Sequence, residues 1–243
     1  GSMPWEGLNP LEHGGAMVAE AARRYDLREG FLDHPFLGRG TRTASSATLE
    51  TPSDCAVPER FTVRFDRRLT VGETPEQALA DIEGMDSVRA AREAGLAVDV
   101  AVPTYDQPSW KGVVPGNPQI YPGWLTPAEH PAIQAALATY RAVIAPHAAA
   151  ELLGTPIPRE PRLGRWIFST DGVGYPVPLG DRSLAVPDRK GWVTSGAVRH
   201  PAMFGLGAGL EQNAHRVGEF VDLRELAHAV AFLARFPSAF AAG

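Results

Sequence analysis

The stretch ERFTVRFDRRLTVGETPEQ, Glu59–Gln77, changes its period halfway along. Phe61, Val63 and Phe65 alternate with Thr62, Arg64 and Asp66, which predicts a strand with one buried face. The opposite face carries Arg64 and Arg68. At Thr74 the sequence TPEQ forms a capping box with proline at the first helical position. A helix is therefore predicted beyond it, with Ala78, Leu79, Ile82 and Met85 on one side and its end near Gly95. Working outward, RTASSATLE (Arg42–Glu50) and LAVDVAVPTY (Leu96–Tyr105) read as further strands. Asn9-Pro10-Leu11-Glu12 opens a helix reaching about Arg24, although Gly14 and Gly15 weaken it. The order α-β-β-α-β is one strand short of a ferredoxin-like β-α-β-β-α-β unit, and the first strand is expected ahead of residue 1.

Asp106–Trp124, rich in Pro, Gly and aromatic residues, reads as a connector, with one domain over 1–114 and a second over 115–243. In the second, TPAE (Thr126–Glu129) is expected to open a helix carrying Ile133, Leu137, Tyr140 and Ile144. GRWIFSTDGVG (Gly164–Gly174) and HPAMFGLGAG (His200–Gly209) read as buried strands. A last helix is expected from Asp222, with Glu225 completing a capping box and Leu226, Val230 and Leu233 inside it. The expected class is α/β (α+β), the second domain holding part of a helix-covered, mainly parallel sheet. Two strands are too few to complete such a sheet.

The 25 Gly and 22 Pro predict many loops without reaching the level of disorder. A net charge of −5 with no basic run argues against nucleic acid or an anionic membrane as partner. The longest apolar stretch, Ile133–Leu153, is broken by Gln134, Arg141 and His147, so no span is predicted. Cys55 is the one cysteine, which fits a reducing cytoplasm. Gly1-Ser2 ahead of Met3 reads as the scar of tag removal.

Few residues carry recognisable chemistry by themselves. His215 and Glu219, spaced His-x-x-x-Glu, make half of a metal site, whereas zinc takes three or four protein ligands. His200 and His228 are the neighbours in sequence, and no HExxH, CxxC or carboxylate cluster occurs. Ser195, His200 and Asp181 lack the GxSxG elbow that a triad of this kind uses.

Five stretches, GSMPWEGLNP, HPFLGRGT, PSDCAVPERFTVRFDRRLTVGETPE, RWIFSTDGVG and GLGAGLEQNAHRVGEFVD, resemble in order the M20 family of metal-dependent peptidases and amidohydrolases. The nearest branch is that of bacterial selenium-metabolism-linked hydrolases. The resemblance covers the family's later half, namely the lid (dimerisation) domain and the end of the catalytic domain. It implies a hydrolase that cleaves an amide or peptide bond beside a free carboxylate, using two divalent ions, usually zinc, that activate a water. His215 is then a metal ligand and Glu219 a residue supporting it from behind. Arg68 binds the substrate's carboxylate, and Ser169, Thr170 and Asp171 line the substrate pocket.

Asp54 and Cys55 stand where many relatives carry asparagine, and Cys55 is expected to be a small buried residue. The family's remaining ligands, its general base and its lid histidine would all lie upstream. The chain alone is expected to be inactive, to pair as a homodimer through the lid and to work with a missing N-terminal half on a small amide or peptide. The alternative is a non-catalytic dimerisation or ligand-binding protein derived from the lid.

Overall fold

The computed structural model describes residues 2–147, 160–168, 177–178, 192–195, 198–209, 211–214 and 216–242. The chain is a mixed α and β protein divided into two compact units, Gly1–Gly123 and Trp124–Gly243. The division falls at the end of the Pro/Gly-rich connector.

In the first unit, helix α1 spans Pro10–Asp26, capped by the Asn9 side chain, which accepts a hydrogen bond from the Leu11 N–H. Two short strands, β1 (Asp33–His34) and β2 (Gly38–Arg39), pair with each other. Strands β3 (Thr41–Glu50) and β4 (Arg60–Arg68) form an antiparallel hairpin, with a bulge between Ala44 and Ser46. Along β4, Phe61, Val63 and Phe65 are half-buried while Thr62 and Arg64 are exposed, as the alternation predicts. The capping box forms with both of its bonds, Thr74 to the Gln77 N–H and Gln77 to the Thr74 N–H.

The single helix expected after it is broken in two, α2 (Pro75–Glu83) and α3 (Asp86–Glu93). Gly84 ends the first, and Met85 takes an extended conformation with its side chain fully buried. Met85 makes no side-chain cap for α3. That cap comes from α1, where the Glu20 carboxylate accepts from the N–H groups of Asp86 at 3.0 Å and Ser87 at 2.7 Å. Burial pushes the Glu20 carboxyl up, but the hydrogen bonds from Ser87 and Asp86 outweigh it and hold the group below the usual carboxylate range.

The expected strand Leu96–Tyr105 does not form. Only Thr104 makes an isolated bridge, to Pro118. Alternation alone does not make a strand, because every ladder bond needs a neighbouring chain. Among the described residues β4 pairs with β3 only, so its outer edge is open. Val98 nevertheless packs with Met17, Phe65 and Ile82 on the core of Ala21, Met85 and Val88.

Charge holds this small core in place. Asp81 on α2 accepts from Arg24 of α1 at 2.8 Å and also pairs with Arg42 of β3. Arg42 has 2% of its side chain exposed, and it donates to the Ala21 carbonyl at 2.8 Å. Glu73 is equally enclosed. It accepts from Arg67 at 2.7 Å and from the N–H groups of Leu32 and Thr70.

In the second unit, helix α4 spans Pro131–Val143. It begins later than the TPAE box predicts, because His130 precedes a proline and stays extended as the N-cap. The Thr126 hydroxyl is used elsewhere, donating to the Met203 carbonyl and accepting from the Met203 N–H. Strands β5 (Val177–Pro178), β6 (Trp192–Ser195) and β7 (Val198–Pro201) make a three-stranded sheet in the order β5-β7-β6.

Both pairings in that sheet are antiparallel, so the mainly parallel sheet expected here is not what the described residues build. Of the two predicted strands, His200 and Pro201 alone lie in β7. Residues 164–168 form none, and residues 169–174 lie outside the described set. Helix α5 (Leu223–Ala241) is capped by Asp222, which accepts from the Arg224 N–H at 2.8 Å. Among the described residues no helix is long and apolar enough to cross a membrane.

The two glycines that weaken α1 on paper differ in place. A Cβ at Gly14 would overlap the Phe61 ring, so the missing side chain lets α1 lie against β4, whereas a Cβ at Gly15 meets nothing within 4 Å. We expect Gly14→Ala to lower the stability of this unit by about 1–3 kcal/mol. Gly15→Ala should raise it by about 0.5–1 kcal/mol through helix propensity. Denaturant midpoints that move in the same direction for both would contradict this packing.

His200 supplies a second test. Its ring is fully buried against Trp124, with ring centroids 6.2 Å apart, and Nδ1 donates to the Pro201 carbonyl at 2.7 Å. Burial pushes its pKa down, while hydrogen bonds to the backbone of Pro201 and Leu125 offset part of that. Below about pH 6.5 the unfolded chain therefore takes up a proton that the folded chain refuses, and stability falls with falling pH until the folded pKa is reached. His200→Gln should flatten the slope of unfolding free energy below about pH 6.5. An unchanged slope would show that this histidine does not control it.

Candidate functional site

Strand β4 carries Arg68 at the end of the hairpin remote from its turn, where it pairs with Thr41. The guanidinium is half exposed and already engaged. Nε and Nη2 donate to the two oxygens of Asp66 at 2.7 and 2.8 Å. Residues i and i+2 of a strand share a face, so Asp66 holds the Arg68 fork in a fixed orientation. Asp66 does not engage Nη1, and a ligand carboxylate must compete with Asp66 or share the fork with it. Asp66 is the residue that the sequence reading missed. Its signal was the Asp-x-Arg spacing on a period-two strand.

At the other end of the hairpin, Asp54 and Cys55 stand in the turn between β3 and β4. Cys55 is exposed, not buried as expected, because the turn projects beyond the core. With Asn9 and Glu12 these residues border an open depression of about 490 Å³. The length of β4 separates it from Arg68, about 26 Å at strand rise.

In the second unit Glu219 lies in the loop before α5, exposed, after a turn in which Gly218 takes a φ of +78° and the Glu219 N–H donates to the Arg216 carbonyl. His215, Ser169, Thr170 and Asp171 lie outside the described residues. Among the described residues no group of three or more His, Cys, Asp or Glu side chains could hold a metal ion. His200 is enclosed in the core, which removes it from the candidate ligands.

His228 stands one turn past Glu225 on α5, with Nδ1 and Oε1 3.4 Å apart. Both atoms are buried and neither makes a hydrogen bond among the described residues. The two side chains therefore form an ion pair only when His228 is protonated. Tyr140 on α4 faces the same cluster, and burial followed by the Glu225 charge pushes its hydroxyl up. Asp222 is held down at about 2 by hydrogen bonds from the Arg224 side chain and N–H. The spacing Asp222, Glu225, His228 places three titratable groups along one side of the helix start, yet Asp222 is committed to Arg224 and Glu225 stands against His228.

The described residues therefore offer one oriented guanidinium at a strand end and a cluster of paired charges at a helix start, with no complete centre for catalysis. No family model matches the chain. No solved structure matches it. Among curated proteins, the uncharacterized protein YgeY of Escherichia coli strain K12 is 31% identical over 202 residues, which cover 79% of this chain and 45% of that protein. YgeY of Escherichia coli O157:H7 matches with the same identity and coverage. The chain thus spans a little under half the length of the curated relatives it matches, and through most of its own length it is similar to one portion of a longer protein.

Proposed function

We propose that this chain is part of an M20-type metal-dependent hydrolase that cleaves an amide or peptide bond beside a free carboxylate. The observation that carries the reading is the run of five stretches in family order, from GSMPWEGLNP to GLGAGLEQNAHRVGEFVD. The likeness to a longer protein supports it as well, since the reading requires ligands that this chain does not contain. In this reading the first unit is the lid, a ferredoxin-like unit whose first strand would pair with the open edge of β4. Its dimer contact and the zinc pair belong to the same proposal, as does a place in the cytoplasm.

Arg68 has the chemistry for its proposed role. A guanidinium offers five N–H donors in a plane, and Asp66 engages two of its three nitrogens. The remaining nitrogen can hold a substrate carboxylate while Asp66 keeps the fork from swinging. Because the side chain is half exposed, solvent screens the pair, and its contribution lies well below that of an enclosed ion pair. In the complete enzyme we expect Arg68→Ala to raise KM about tenfold, roughly 1.4 kcal/mol, for a substrate with a free carboxylate, and to leave its methyl ester unaffected. Equal losses on acid and ester would remove Arg68 from carboxylate recognition.

The described residues do not fit a metal ion, so the metal chemistry rests on His215 and on ligands supplied by the rest of the proposed enzyme. One imidazole, with Glu219 behind it, falls short of the three or four ligands zinc takes. Elemental analysis of the 243-residue chain should therefore find far less than one zinc per chain. Joined to the remaining portion of such an enzyme, it should hold zinc tightly and lose it on His215→Ala. Stoichiometric zinc in the isolated chain, or uptake by the joined protein that ignores His215→Ala, would end this reading.

A further inference from the structure

Three of the seven histidines, His34, His130 and His200, stand directly before a proline. At the first two the ring does what an asparagine or aspartate side chain does in a turn. Proline has no N–H, so the first amide able to point back at the histidine belongs to the residue after it. His34 Nδ1 accepts from the Phe36 N–H at 3.2 Å and from the Leu37 N–H at 3.0 Å. His130 Nδ1 accepts from the Ala132 N–H at 3.1 Å and so caps α4. His200 is different, because its Nδ1 donates to the Pro201 carbonyl.

A ring nitrogen that accepts carries no proton, so His34 is the neutral tautomer with its hydrogen on Nε2. A proton added to Nδ1 turns that acceptor into a donor facing two N–H groups, and both bonds are lost together. Those bonds close the chain reversal between β1 and β2, where His34 pairs with Gly38. The small hairpin in turn ties other elements to one another. Arg39 at its end lies 4.4 Å from the Tyr25 ring centroid and donates to the Tyr25 carbonyl of α1 at 3.0 Å. On its other arm the Leu32 N–H is held by Glu73. Gly40 then leads into Thr41, the residue opposite Arg68.

We propose that His34 is a pH-sensitive latch, whose neutral ring closes the β1–β2 hairpin and whose protonation at Nδ1 releases it. The charged groups around the turn are Asp33, which pairs with Arg28 at 3.7 Å and stands across from Arg39, and Glu73 beneath Leu32. Asp33 favours a protonated ring, and Arg28 and Arg39 oppose one. Of these side-chain types only imidazole ordinarily changes its charge between about pH 8 and 5. The latch therefore loosens on acidification, at the end of the β3–β4 hairpin that presents Arg68. It requires neither a metal nor the hydrolase reading above.

Hydrogen exchange of the whole chain at about pH 7.5 and about pH 5, corrected for the intrinsic pH dependence of each amide, tests the latch. Protection of the Phe36 and Leu37 amides should fall by about tenfold at the lower pH, while the β3–β4 amides keep theirs. In His34→Asn the side-chain oxygen accepts the same two bonds and does not titrate, so protection should persist at both values. His34→Ala should leave the two amides open at both. Nitrogen NMR of the wild-type ring should place its proton on Nε2 at about pH 7.5.

A neutral ring protonated on Nδ1 would overturn the proposal, and so would wild-type protection that is the same at both pH values. An Asn variant that loses protection as the wild type does, or an Ala variant that keeps it, would overturn it as well. A loss shared by the β3–β4 amides would be general acid unfolding, which leaves no local latch.

Discussion

Asp81 is the point on which the first unit depends. One carboxylate on α2 receives Arg24 from α1 and Arg42 from β3, so two helices and the hairpin meet at a single charge. Arg42 is almost wholly enclosed, and an enclosed guanidinium is tolerable only while it is paired. Burial pulls its pKa down, and Asp81 offsets part of that pull. Removing one partner of such a pair ordinarily costs about 3–5 kcal/mol, because the other charge stays buried. The close fit extends to the backbone. Gly30, at a φ of +79°, sits so near the Asp81 carboxylate that a Cβ there would meet it at 2.5 Å.

That network bears on the candidate site through strand register. Arg42 pairs with Arg67 across the hairpin, and Thr41 with Arg68. The end of the hairpin that presents Arg68 is therefore the end clamped by Asp81 from one strand and by Glu73, through Arg67, from the other. Arg67 also lies over the Phe31 ring, 4.3 Å from its centroid, which adds a cation–π contact. A fork held by Asp66 on a strand end that is itself fixed is restrained in its orientation, which the carboxylate recognition proposed for Arg68 would require.

The second unit is ordered by aromatic packing where the first uses charge. Phe204, Phe232, Phe236 and Phe240 run along one side of α5, and His200 against Trp124 fills the space beside β7. This core accounts for one apolar side of α5.

The sequence by itself determined the features that depend on near neighbours in the chain. The alternation in β4 and the caps at Asn9, Thr74 and Asp222 come from spacings of a few residues, and the structure has each of them. Features that depend on distant parts of the chain were decided only by the tertiary structure. Leu96–Tyr105 alternates like a strand and forms none, because a period says nothing about whether a partner lies alongside. The helix after Thr74 breaks at Gly84 because Met85 is drawn into the core and Glu20, far off on α1, supplies the cap for α3. Gly14 reads as a flaw in a helix until Phe61 is seen beneath it. At Arg68 the spacing did mark the strand face, but its restraint by Asp66 and its place at the clamped end of the hairpin come from side-chain geometry and long-range pairing, which no local pattern encodes.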